Sequence, residues 1–224
     1  MPVPFRPKIS LIGPPGSGKG SYGRLLAKCL SIPLITASTL LKQAKLDTSS
    51  GKLLDDATVS KILLDNLPQQ QHSYFLDGFP RTMNQVKLME RDWPTTVQAA
   101  ISLDVPRQVC FEKLVGRRLC HICDRNWNVA GVQYGKFIMP PSLPESCNRC
   151  DQSDWIQRPD DKPDIIKERL DIFYETTEPI LEHYEAKGTL LRFAPYGGFS
   201  DMPRFQSTVA DWIVGLERRL GSSS

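Results

Sequence analysis

The sequence predicts an α/β protein built of βαβ units on a mostly parallel sheet. Three observations carry that expectation. Five short apolar runs alternate with helix-sized segments, the pattern of strands joined by crossover helices. A glycine-rich loop, Gly13-Pro-Pro-Gly-Ser-Gly-Lys-Gly-Ser21, links the first run to the first helical stretch. One cysteine- and proline-rich segment, residues 119–157, has no helical period and reads as an inserted small domain.

Taken in order, Lys8–Ile12 is β-rich and ends at a glycine. Leu25, Leu26, Cys29 and Leu30 then recur at helical spacing, so Cys29, like Cys110 further on, is expected as a small buried hydrophobe. Leu34–Thr36 and residues 73–77, 99–104 and 189–193 supply the other runs. Another helix is expected around Asp161-Lys-Pro-Asp164, with Asp161 as its cap, Pro163 in its first turn and Asp164 as a favourable charge there. It continues through Ile165, Ile166, Leu170 and Phe173 to near Gly188, broken or bent at Pro179. Residues 221–224 read as a flexible tail.

Composition narrows the function. The chain has 224 residues, with 28 basic against 25 acidic side chains and a formal net charge of +3. So mild a balance excludes a polybasic arm or an acidic tail as the main feature. No apolar run of about 18 residues predicts a membrane span, and residues 1–8 lack the apolar centre of a signal peptide. A soluble, cytoplasmic monomer without nucleic-acid or membrane partners is expected.

The glycine-rich loop has the spacing Gly13, Gly18, Lys19 of a phosphate-binding loop. Glycines let consecutive backbone N–H groups turn inward around a phosphate, while the helix N-terminus and Lys19 add positive charge. Gly20 follows the lysine where Ser or Thr is usual, so Ser21 carries the hydroxyl. A second run, Asp77-Gly-Phe-Pro-Arg-Thr82, ends the third apolar stretch. Ligands of parallel sheets bind beyond C-terminal strand ends, and an arginine fixed there can grip phosphate bidentately. Lys113-Leu-Val-Gly-Arg-Arg118 borders the insert, with Lys113 and Arg117 four apart and expected on one helix face. Arg158-Pro-Asp-Asp161 lies on the far border and Arg169 follows. Within the insert, Cys120-His-Ile-Cys123 and Cys147-Asn-Arg-Cys150 form two CxxC pairs that could set four thiolates around one Zn²⁺. Disulfides, free thiols and iron are the other readings of these pairs. An intracellular chain disfavours disulfides.

Together these motifs resemble the adenylate kinase family of nucleoside monophosphate kinases, over residues 8 to 216. The resemblance implies a P-loop three-layer α/β/α fold with a five-stranded parallel sheet. It also implies a shortened monophosphate-binding segment at 38–71 and a zinc-bearing lid at 119–157. The core is then formed from 1–37, 72–118 and 158–220. It further implies reversible phosphoryl transfer from Mg-ATP to AMP. By resemblance, Gly13, Pro15, Gly16, Ser17, Gly18, Lys19, Gly20, Ser21 and Arg117 hold ATP. AMP falls to Thr36, Ala37, Lys42, Gly78, Arg81, Gln85, Arg158 and Arg169, with Gln85 on adenine and Arg81 on the phosphate. Lys19, Arg81, Arg117, Arg158 and Arg169 surround the transferring group, with the pair Asp160 and Asp161. Asp77 organises Mg²⁺ through water, and Cys120, Cys123, Cys147 and Cys150 hold a structural zinc.

The chain departs from the family pattern in the run Thr36-Ala-Ser-Thr-Leu-Leu-Lys42. Lys42 stands where the family has an arginine, Ala37 where it has a hydroxyl, and Ser38-Thr39 where it has Gly-Asp. Lys113 also replaces an arginine. Weak monophosphate binding or a shifted base choice is expected. Ala37 resembles the pyrimidine-kinase version and Gln85 the adenine version. Gln85 weighs more, because one amide offers both donor and acceptor. Other monophosphate kinases (GTP:AMP or UMP/CMP types), a weakly catalytic nucleotide-binding regulatory domain and a zinc-ribbon nucleic-acid module are the alternatives.

Overall fold

The computed structural model describes residues 6–46, 54–67, 72–93, 97–122, 126–143 and 155–221. Its centre is a five-stranded, wholly parallel sheet in the order β10-β4-β1-β3-β2. The strands are β1 (Lys8–Ile12), β2 (Leu34–Thr36), β3 (Tyr74–Asp77), β4 (Ala99–Leu103) and β10 (Leu190–Phe193). All five apolar runs are therefore strands. β1 and β4 are buried along their whole length, as strands covered on both faces must be.

The period of two divides the sheet into two faces. Ile12, Tyr74, Leu76 and Ala100 pack in one cluster with Leu63, Val86, Met89, Ile180 and Tyr184. These last belong to α3 (Asp56–Asn66), α4 (Met83–Asp92) and α7 (Glu178–Ala186). Ile9, Leu11, Phe75, Ala99 and Ile101 pack on the other face with Tyr22, Leu26, Phe205 and Val209, from α1 (Lys19–Leu30) and α8 (Met202–Gly221). This is the three-layer α/β/α arrangement. α1 buries Tyr22, Gly23 and Leu26, whereas Leu25 is 40% exposed and Cys29 is exposed. The expected face through Leu25 and Cys29 is thus corrected. Tyr22 sets the helix's rotation by packing edge-on against Phe205, 5.1 Å between centroids, a partner 183 residues away in sequence that helical spacing cannot reveal. Cys110, on α5 (Arg107–Val115), is buried as expected.

Between α5 and α6 (Pro163–Ile172) the chain leaves the parallel sheet. β5 (Arg117–Cys120) pairs antiparallel with β6 (Asn126–Asn128) and β9 (Trp155–Ile156). β7 (Val132–Tyr134) and β8 (Phe137–Met139) form a hairpin, whose Val132, Phe137 and Met139 pack with Val109, Leu114, Ile166 and Leu170. Two expectations are corrected here. Lys113 and Arg117 do not share a helix, because α5 ends at the Gly116 cap and Arg117 opens β5. A Cβ at Gly116 would meet Ala130 Cβ at 2.4 Å, so the close approach of the returning chain requires glycine there. Asp161 does not cap α6. It ends a 3₁₀ turn, Pro159–Asp161, and Lys162 is the cap residue without a side-chain bond.

Pro163 does lie in the first turn of α6. Beyond α6 the chain makes a π-helical turn, Phe173–Thr177, before α7. Pro179 has no N–H to return to residue 175, which accounts for the widened turn just ahead of it.

Candidate active site

The sheet topology locates the site. From β1 the chain crosses to β2 on the far side of β3, whereas from β4 it crosses to β10 on the opposite side. The C-terminal ends of β1 and β4 thus flank a topological switch point, where parallel sheets bind ligands. The loop 13–18 leaves β1 there and enters α1 at Lys19. Gly13, Gly16 and Gly18 have φ of 152°, 90° and 95°, the left-handed region in which glycine is favoured. Gly16 also packs on α5, since a Cβ there would lie 2.5 Å from the Cys110 carbonyl oxygen.

Inside the loop, the Ser17 hydroxyl is buried and has no hydrogen-bond partner among the described residues. The Lys19 ammonium donates to the carbonyls of Gly13 and of Pro14, the latter at 3.1 Å. Lys19 retains partial solvent access, yet protein surrounds it. Desolvation lowers its pKa to about 8, with Asp77 opposing and Arg81 and Arg169 reinforcing. Pro15 and Ser21 are half-buried on the loop and the first turn of α1.

Asp77 ends β3 beside this loop: a Cβ at Gly20 would lie 3.4 Å from its Oδ2. Gly78 follows with φ of 85°, and its carbonyl accepts from Arg81 Nε at 2.9 Å. The Arg81 backbone is held at both ends. Its N–H donates to Gln85 Oε1 at 2.7 Å, and its carbonyl accepts from Thr177 Oγ1 at 2.9 Å.

The remaining cations arrive from the insert and α6. Arg117 grips Asp161 with both Nε (2.7 Å) and a terminal nitrogen. Asp161 is fully buried. Arg169 donates to the Asp160 backbone carbonyl at 2.9 Å and pairs with Asp160 Oδ2 at 3.0 Å and with Asp161 Oδ1 at 3.6 Å. Burial lowers the pKa of Arg169, Asp160 opposes, and Arg117 and Arg81 push it down further. Burial likewise lowers Arg158, with Arg117 next in effect. Arg158 donates to Asn126 Oδ1 at 2.7 Å, while its buried Nε has no hydrogen-bond partner among the described residues. Lys19, Arg81, Arg169, Arg117 and Arg158 thus form one electrostatically connected set from five separate chain segments. Mutual repulsion in such a set falls when a polyanion enters.

Other expected residues lie outside this cationic set. Lys113 sits on α5 beside Cys110, and burial lowers its pKa. Thr36 is in register with Asp77 but lines a separate cavity of about 290 Å³ with Leu34, Leu40 and Asn66. Ala37 is buried, 3.8 Å from where a Gly78 Cβ would stand. Lys42 is exposed in the last turn of α2 (Ala37–Gln43). Cys120 is fully buried at the end of β5, whereas Cys123, Cys147 and Cys150 lie outside the described residues. Among the described residues no group of three His, Cys, Asp or Glu could hold a metal ion.

Gln85 has a second role that the sequence does signal. Thr82-Met-Asn-Gln85 has the spacing of a helix-capping box, of which one half forms: Thr82 Oγ1 accepts from the Gln85 N–H at 3.1 Å, at the start of α4, while the Gln85 side chain accepts from the Arg81 N–H in place of the Thr82 N–H. The Gln85 amide nitrogen donates to Asp56 Oδ1 at 2.7 Å. Asp56, Thr177 and Asn126 were not picked out by motif. Their roles depend on contacts across 29, 96 and 32 residues.

A phosphate loop at a parallel-sheet switch point, faced by clustered arginines, defines a P-loop nucleotide-binding protein of the phosphoryl-transfer kind. The chain matches the adenylate kinase family over residues 11–189. It is 34% identical to an adenylate kinase of Nitrosococcus oceani, over 81% of this chain and 88% of that one. It is 32% identical to an adenylate kinase of Clostridium kluyveri (82% and 88%) and 32% identical to a GTP:AMP phosphotransferase of Plasmodium falciparum (92% and 96%). The chain belongs to the adenylate kinase family. No helix among the described residues is long and apolar enough to cross a membrane.

Proposed function

We propose that this protein transfers the γ-phosphoryl group of Mg-ATP reversibly to AMP, giving two ADP. The observation that carries the reading is the convergence of Lys19, Arg81, Arg117, Arg158 and Arg169 at the switch-point crevice. Two nucleotides repel each other, and a charge pair at about 4 Å in an effective dielectric near 20 is worth about 4 kcal/mol. Several such pairs suffice to bring donor and acceptor together and to stabilise the charge of the transferring group. No covalent nucleophile is needed. Lys19 and the loop N–H groups hold the donor phosphates, and Arg81 holds the acceptor phosphate. Arg117, Arg158 and Arg169 neutralise the group in flight. A lid formed by 119–157 excludes water, which limits hydrolysis of ATP.

The carboxylate of Asp77, beside Gly20 and Lys19, suits a magnesium ion that keeps its waters and takes its other ligands from phosphate. When bound, that ion neutralises charge on the donor phosphates. Cys120, Cys123, Cys147 and Cys150 hold a structural zinc. Four thiolate ligands would leave no open coordination position on such an ion, and Cys120, the one of the four among the described residues, is buried. Elemental analysis is expected to find about one zinc per chain. Chelation should then expose 119–157 to limited proteolysis before the core. Protein purified without chelators that contains no zinc would remove this assignment.

The Plasmodium falciparum relative, named for GTP and matched over 92% of this chain, favours a second reading in which GTP is the donor. One assay separates them: ATP or GTP as donor, against AMP, GMP, UMP and CMP. ATP with AMP is expected to give the highest kcat/KM. A higher value with GTP would assign the second reading. Nucleotide binding without transfer to any acceptor would sink both and leave a binding module.

A further inference from the structure

We propose that Asp56 fixes which way round the Gln85 carboxamide lies, and so sets the preference between 6-amino and 6-oxo purine monophosphates as acceptor. The proposal rests on the reading of Gln85 as the group facing the acceptor base.

Gln85 is 2% exposed, and both ends of its amide meet groups with a single possible role. An ionised carboxylate only accepts and a backbone N–H only donates. Asp56 Oδ1, 2.7 Å away, therefore requires the amide nitrogen. The Arg81 N–H, also at 2.7 Å, requires the amide oxygen. A flipped amide would set oxygen against carboxylate and N–H against N–H. Asp56 is itself held: its Oδ2 accepts from Thr82 Oγ1 at 2.9 Å and Asn84 Nδ2 at 3.0 Å. The carboxylate is thus a hub of three donors from the start of α4, although it belongs to α3.

An amide has two donor hydrogens and two acceptor lone pairs. The two bonds above leave one of each. A 6-amino purine needs an acceptor for its amino group and a donor for N1. A 6-oxo purine needs the same two groups exchanged. An amide locked by Asp56 can match only one arrangement in a given base position. Thr82 and Arg81 tie that amide to the arginine assigned to the acceptor phosphate, so base and phosphate are read from one hydrogen-bonded unit.

The test is Asp56→Asn, which keeps the shape but can donate or accept. AMP and GMP are compared as acceptors at saturating ATP. The AMP-over-GMP preference in kcat/KM should fall about tenfold, the size of one hydrogen bond of discrimination. The fall should come through a raised KM for AMP, with kcat changed little. Asp56→Glu, still acceptor-only, should retain most of the preference. An unchanged ratio in Asp56→Asn, with only a lowered melting temperature, would make Asp56 purely structural and overturn the proposal. If Asp56→Asn does not fold, Asn84→Asp tests the same point. Asn84 is exposed, and a second carboxylate there would unsettle Asp56. Its AMP preference should fall too, and an unchanged ratio overturns the proposal. A wild-type protein that phosphorylates no monophosphate defeats the kinase reading instead, an outcome distinct from either.

Discussion

Replacing Lys19 by Met is expected to lower kcat/KM for ATP about 10³-fold. The estimate follows from the charge. One ammonium against one phosphate oxygen at about 4 Å and an effective dielectric near 20 contributes about 4 kcal/mol, and each 1.36 kcal/mol is about tenfold in rate. Far-UV circular dichroism should be unchanged, because α1 and the loop glycines keep their conformations. Residual activity within tenfold of wild type would show that Lys19 does not touch the donor phosphates.

The same side chain predicts a pH dependence. Lys19 has its pKa lowered to about 8 by desolvation, and it must be protonated to attract phosphate. ATP binding to the free protein should therefore weaken as pH rises above about 8. Bound triphosphate raises the lysine's pKa again, so kcat at saturating ATP should stay nearly flat over the same range. The stability sign is opposite. The folded state sheds this proton more readily than the unfolded chain, so the cost of enclosing the charge is present in full below about 8. It is relieved as pH rises from there towards the ordinary lysine value of 10.5. ATP affinity constant from pH 7 to 9.5 would contradict the assignment.

Replacing Asp161 by Ala has the second large expected effect. The carboxylate is fully buried, gripped bidentately by Arg117 and lies 3.6 Å from Arg169. Removing one partner of such a buried network leaves uncompensated charge and costs about 3–5 kcal/mol. Arg117 and Arg169 would then repel each other without a fixed reference point. A fall in kcat of about 10²-fold is expected, typical of a lost preorganised donor. Asp161→Asn separates the two effects, because it keeps the shape while losing the charge. It should regain much of the melting temperature and little of the kcat. Full activity in either variant would show that Asp161 supports the fold alone.

The parallel sheet could be read from the sequence because its strands appear as short apolar runs, and the central β1 and β4 are buried along their whole length. The phosphate loop was legible for a similar reason: its geometry comes from glycines at fixed offsets between adjacent elements. Arg81, Arg117, Arg158 and Arg169 could be picked out by their motifs. Their joint electrostatics could not, since it depends on five segments meeting at the switch point.

Where spacing failed, a distant partner had decided the matter. The four-residue spacing places Arg117 on one helix with Lys113, but α5 ends at Gly116, where the chain returns against it at Ala130. Its position before Pro163 suits Asp161 to cap a helix, the commoner local use of its carboxylate, yet Arg117 claims it across 44 residues. Gln85 shows both sides. Its capping-box spacing is local and legible, while its pairing with Asp56 is tertiary. The sequence by itself determined the α/β class, the strand order along the chain and the glycine-rich loop between β1 and α1, all set by neighbouring residues. Only the tertiary structure decided which carboxylate holds which cation and which way the Gln85 amide faces. Those outcomes depend on distances between groups that the chain order leaves far apart.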